Sequence, residues 1–111
     1  MKIKQNDTRP YARATLYEDQ AESIVLDCSV AEVSGVTFTM KVQGGAVKID
    51  TADADLTTDG TDGKVEYHWA AGDTDTTGLY DAEFEVTFVG GGTQTFPHDS
   101  NLLIEIVPEL S

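Results

Sequence analysis

Two acidic runs hold the side chains of this chain best suited to chemistry. The first is GDTDTTGLY, Gly72–Tyr80, where Asp73, Asp75 and Thr77 alternate ahead of Gly78. Alternating oxygen ligands before a glycine suit a hard cation such as calcium. Such a loop also needs a bidentate carboxylate at its twelfth position, and counting from Asp73 that position is Phe84. The second run is Asp50, Asp53, Asp55, Asp59 and Asp62, which lacks Asp-x-Asp-x-Asp-Gly order and has Lys64 where a closing acid belongs. It reads as a solvated loop. His68 and His98 are far apart, with no cysteine or acidic pattern to complete a zinc set. Cys28 is the only cysteine, which precludes an intrachain disulfide; beside Leu26 and Val30 it reads as a small hydrophobe. No serine sits in a nucleophile elbow, and Gly90-Gly91-Gly92 opens no helix to cradle a phosphate. Twenty acids offer many carboxylate pairs, but no pair has an environment that would split its two pKa values. These residues argue against an enzyme and call for no cofactor or metal. The competing reading is a calcium-dependent carbohydrate-binding module built on the two acidic loops.

The same GDTDTTGLY run has a structural reading. A tyrosine just after a tight turn, at the start of a sandwich strand, sends its hydroxyl back to upstream backbone. Tyr80 is that tyrosine, Gly78 supplies an unusual backbone angle, and Asp75 caps the turn. The flanking residues set strands on either side. Val65, Tyr67 and Trp69 alternate with Lys64, Glu66 and His68; Tyr80, Ala82, Phe84, Val86 and Phe88 alternate with Leu79, Asp81, Glu83, Glu85 and Thr87. Strict period-two alternation makes antiparallel strands with one dry and one wet face. On that count Trp69 and Phe84 point into the core.

Elsewhere a strand starts at residue 11, with Ala12, Ala14 and Leu16 on one face and Tyr11 and Tyr17 turned outward. Ser23–Leu26 is a short β-branched stretch. Val36, Phe38, Met40 and Val42 point inward ahead of a Gln43-Gly44-Gly45 hairpin turn, followed by inward Val47 and Ile49. Asp50–Gly63 is a polar loop with room for a small element around Leu56. Thr93–Phe96 is a strand ended by Pro97, and Leu102–Val107 is the last strand, closed by Pro108. Seven to eight short strands and no helical periodicity predict an all-β, antiparallel immunoglobulin-like β-sandwich, one domain over 1–111.

Lys2, Lys4, Arg9 and Arg13 against Asp7 give residues 1–13 a charge of +3, while the remainder carries three lysines and nineteen acids, or -16. So acidic a body repels phosphate backbones, which argues against nucleic acid as a partner. No apolar run is long enough for a membrane span, and no apolar signal core follows the first lysines. The expected location is the cytoplasm or a particle assembled there. The basic residues 1–10 read as a docking arm for an acidic surface, including a neighbouring copy of the same body; Lys2, Lys4, Arg9, Arg13, Tyr11 and Tyr17 are its candidate contacts.

The opening IKQNDTRP, the block VTFTMKV at 36–42, the block GKVEYHWAAGDTDTTGLYDAEFEVTF at 63–88 and the close TQTFP at 93–97 resemble the amino-terminal domain of the tailed-phage baseplate upper protein family. The resemblance spans roughly residues 3–107; its specific part is Trp-x-x-Gly-Asp-Thr…Gly-x-Tyr-x-Ala-Glu-Phe. It implies an immunoglobulin-like sandwich attached in repeated copies to other virion proteins, without catalysis. Segment 27–34, DCSVAEVS, departs from the family pattern, and the chain ends at Ser111 without the stem or receptor-binding part of larger members. The expectation is therefore a virion adaptor or collar subunit in tail, baseplate or neck, with a capsid decoration protein as the alternative.

Overall fold

In the computed structural model residues 1–19, 24–97 and 102–110 are described, and among them apolar–polar alternation becomes strand. The strands are β1 (Lys2–Lys4), β2 (Ala12–Thr15), β3 (Val33–Val42), β4 (Val47–Asp53), β5 (Asp55–Leu56), β6 (Lys64–Tyr67), β7 (Gly78–Phe88), β8 (Thr93–Phe96) and β9 (Leu102–Val107). One sheet runs β1-β9-β7-β3-β4, with β8 also on β7; the other runs β2-β6-β5. β7 is long enough to hold two partners on one edge, β9 along Gly78–Ala82 and β8 along Phe84–Thr87. Pairing is antiparallel throughout except for β1 on β9, which is parallel. β2, β6 and β5 take the places of strands B, E and D, and β3, β7 and β9 those of C, F and G. That order is an immunoglobulin-like sandwich, with β4 extending the second sheet.

The dry faces meet around Phe38, which is fully buried on β3. Its ring stacks on Tyr67 at 4.6 Å, meets Trp69 edge-on at 5.9 Å and lies tilted at 5.0 Å from Phe84. Two of these partners lie on or just beyond β6 and one on β7, so the aromatic cluster joins the layers. Trp69 and Phe84 are buried, as their alternation requires. Val65, Leu16, Met40, Val86, Ile104 and Ile106 complete the centre.

Three expectations are corrected. Val42 and Val47 are exposed, although their alternation points inward. The covering sheet has strands of two to four residues, too short to roof the end of a ten-residue β3 and its hairpin. The loop expected from Asp50 starts later: β4 continues to Asp53, and the small element left open around Leu56 is β5, with Ala52, Ala54 and Leu56 packed against the core. A bulge there places Thr51 at φ 48°, and its N–H donates to Thr39 Oγ1 at 3.1 Å. Residues 1–10, expected as an arm, are fastened to the body. Ile3 is buried, the Gln5 N–H donates to Val107 O at 2.8 Å and the Asn6 N–H to Thr74 O at 2.9 Å. The expected strand Ser23–Leu26 begins outside the described residues; within it Val25 makes an isolated bridge with Tyr17. His98 also lies outside them.

Candidate functional site

Residues 68–77 link β6 to β7, and hydrogen bonds from their polar groups tie the connection to Tyr67, Tyr80 and residues 7–10. Tyr80 is buried at the start of β7 and donates its hydroxyl to Thr76 O at 2.6 Å. This is the tyrosine-corner bond. Gly78 sits at φ 147°, and a Cβ there would lie 3.8 Å from Tyr80 Cε2. Asp73, not Asp75, caps the turn: its carboxylate accepts from the Ala70 N–H at 2.8 Å and from the Tyr67 hydroxyl at 2.6 Å. Asp75 lies one step past the turn, on the surface, and accepts from Lys48 Nζ at 2.6 Å and Thr76 Oγ1 at 2.8 Å. The Lys48 bond holds the Asp75 carboxyl below the usual carboxylate range. Burial, and then the Asp73 carboxylate, push the Tyr67 hydroxyl above its ordinary value. Buried Thr74 donates to Asp7 O at 2.7 Å, and Trp69 Nε1 donates to Pro10 O at 2.8 Å. The corner therefore pins residues 7–10 to the sandwich.

The alternating acids thus serve different masters, and among the described residues no three His, Cys, Asp or Glu side chains converge as a metal site. A conservative change separates the two bonds. Tyr80→Phe is expected to lower stability by about 1 kcal/mol, because Thr76 O can turn to water. Asp73→Ala leaves the part-buried Tyr67 hydroxyl without its acceptor and the exposed Ala70 N–H to water, and is expected to cost about 1–3 kcal/mol, read from urea midpoints.

Three of the six candidate contact residues, Arg9, Tyr11 and Arg13, gather on the wet face of β2-β6-β5. Register places Arg13 opposite Glu66 and Thr15 opposite Lys64. One step beyond, Tyr11 stacks on His68 with centroids 4.0 Å apart. The Arg9 and Arg13 guanidiniums lie over the Tyr11 ring, 5.4 and 5.6 Å from its centroid. Arg13 Nε is 3.3 Å from Glu66, and His68 contacts Glu66 and, at 3.7 Å, Asp55. A groove lined by Arg13, Thr15, Thr57 and Lys64, floored by Ala14 and Val65, runs beside this cluster. The face can offer paired guanidiniums, an aromatic platform and hydroxyls to an acidic surface.

Not every candidate is here. Lys2 and Lys4 lie on β1, with Lys2 Nζ 3.7 Å from Glu105. Tyr17 follows β2 instead of standing on it and is half-buried at the bridge to Val25. A three-residue edge strand bearing two lysines discourages addition of a further strand at β1. Sequence reading missed His68 and Lys64 as members of the cluster. The available signal was their place on the wet side of β6, but the register that sets them opposite Tyr11 and Thr15 is long-range.

Cys28 is 1% exposed, and burial, aided by Asp27 and Asp62, pushes its thiol up from 9.0 to about 11. The folded state therefore holds the Cys28 proton more tightly than the unfolded chain does. Its contribution is complete below pH 9.0 and is lost as pH rises toward about 11. The gap corresponds to on the order of 2–3 kcal/mol. Urea unfolding at rising alkaline pH is expected to show this loss, and Cys28→Ala to lack that part of it. In the native protein the thiol is expected to resist alkylation until urea is added.

With the sandwich and its basic, aromatic face described, the class of protein is defined by fold alone. Comparison with protein families, with curated proteins and with solved structures finds none that matches this chain.

Proposed function

We propose that this chain is a structural component of a tailed-phage virion, an adaptor or collar subunit of tail, baseplate or neck, and that it acts by binding protein. The gathering of Arg9, Tyr11 and Arg13 on one wet face is the observation that carries the binding part. Arginine and tyrosine are among the residues enriched where proteins meet, and hydrogen bonds from Thr74 and Trp69 to residues 7 and 10 hold the segment that carries Arg9 and Tyr11 against the sandwich. The particle context rests on the Trp69–Phe84 resemblance. The residues of that run build the corner and the aromatic core, so what is similar is the body of a domain. In an assembly with many copies, weak contacts of this face add through avidity.

The test is mass spectrometry of virions purified from the producing host and separated into heads and tails. The expected result is the chain in the tail fraction at fixed stoichiometry. Its recovery with heads favours decoration of the capsid, and its absence from both fractions overturns the proposal.

A further inference from the structure

We propose that the basic, aromatic face of β2–β6 docks head-to-tail on the outward row of carboxylates of β7 in a second copy of this chain. The inference deepens the protein-binding role above and rests on it.

Asp81, Glu83 and Glu85 alternate along the outer side of β7, which sets them in one row about 6–7 Å apart. Glu83 and Glu85 make no ion pair among the described residues, and Asp81 accepts only a hydrogen bond from Gln43 Nε2 at 3.2 Å. Lys41 stands opposite Asp81 in register but forms no ion pair with it. Three like charges in a row with no cation in contact repel one another. On the other layer, Arg9 and Lys64 are exposed and have no ion-pair partner among the described residues, while Arg13 is shared with Glu66. These cations flank the Tyr11 platform and the groove with Thr15 and Thr57.

The two surfaces are the wet sides of opposite sheets. They cannot meet within one chain, but they can between copies. The row of acids on β7 meets Arg9, Arg13 and Lys64, which stand around Tyr11 and the groove beside Glu66 and Asp55, so the two exposed cations without an ion pair among the described residues, Arg9 and Lys64, gain carboxylate partners from the second copy. The chain's net charge of -13 opposes association at long range. At about 0.15 M salt the Debye length is about 8 Å, so charges at the contact outweigh those beyond it. A contact between two different patches is not satisfied in a dimer; it propagates into a closed ring or an open chain of copies.

Sedimentation velocity of the purified protein in about 0.15 M salt tests this. Wild type is expected to give concentration-dependent species larger than a dimer. Arg9→Gln/Lys64→Gln removes one face and Glu83→Gln/Glu85→Gln the other, and each variant alone is expected to lose about tenfold or more in association constant. Mixed, the two retain one intact pair of faces and are expected to form a 1:1 dimer that grows no further. These positions are outward-facing, and Arg9→Gln alone serves if a double variant misfolds. Monomeric wild type overturns the inference, as does wild-type association that both variants keep. A monomer that still copurifies with virions removes self-docking and leaves the virion role standing.

Discussion

Phe38→Ala is expected to cost about 3–5 kcal/mol, the largest loss from any single change in this domain. Phe38 is 0% exposed and is the one ring that touches the aromatic partners from both layers, Tyr67 and Trp69 on one side and Phe84 on the other. Removing it leaves a cavity that three large rings cannot collapse into without leaving their strands. A domain of this size has about 5–15 kcal/mol in all, so the variant stands near the limit of folding. Urea unfolding should show a sharply lower midpoint at unchanged slope. A loss under about 1 kcal/mol would mean that the layers do not meet at Phe38. Phe88→Ala, at the half-buried end of β7, is expected to cost clearly less.

Gly60→Ala is expected to be nearly as damaging, for a reason of backbone rather than volume. Gly60 sits at φ +90°, and a Cβ there would lie 2.5 Å from Cys28 O, 2.7 Å from Cys28 C and 2.9 Å from Leu56 Cδ1. Two of those neighbours are backbone, and the same segment is tied by the Cys28 N–H donating to Gly60 O at 2.8 Å. The chain must break that bond or move one of the two segments apart from the other. With the left-handed angle alone costing about 1–3 kcal/mol, the expected loss is about 3 kcal/mol. Gly90→Ala is the control: its added methyl meets nothing within 4 Å and its φ is not positive. It should change stability by no more than about 0.5 kcal/mol. Thermal melts of the three proteins side by side check both expectations, and equal melting temperatures for all would contradict the tight packing of residue 60 on Cys28.

Strands with long, strict alternation were legible in sequence. β8 and β9 fall on Thr93–Phe96 and Leu102–Val107, where Pro97 and Pro108 cut the pattern. The two-sided strand from Leu79 to Phe88 and the inward Tyr67, Trp69 and Phe84 follow from side-chain period alone. What could not be read depends on distant partners. β1 contains one inward residue, Ile3, and a three-residue strand exists only because β9 lies beside it. Ala52, Ala54 and Leu56 alternate, but small side chains in an acidic stretch give a weak signal. Val42 and Val47 follow the inward pattern and are exposed because the opposing strands end before reaching them.

The candidate site shows the same division. Tyr11 and Arg13 alternate in sequence, so their shared side was legible; Arg9 precedes the strand, and its place over the Tyr11 ring was not. The stacking of Tyr11 with His68, and the separation of Lys2, Lys4 and Tyr17 from this group, come from strand pairing between remote segments. Asp73 rather than Asp75 caps the corner because the turn starts at Ala70, a placement that two aspartates with one residue between them do not distinguish by spacing alone.

Cryo-electron microscopy of the purified particle addresses the central claim directly. The account predicts repeated two-layer densities of this domain on the tail, with the Arg9–Tyr11–Arg13 surface covered by a neighbouring subunit. Particles complete without any such density, or copies whose arginine surface faces bulk solvent while another side makes every contact, would contradict it.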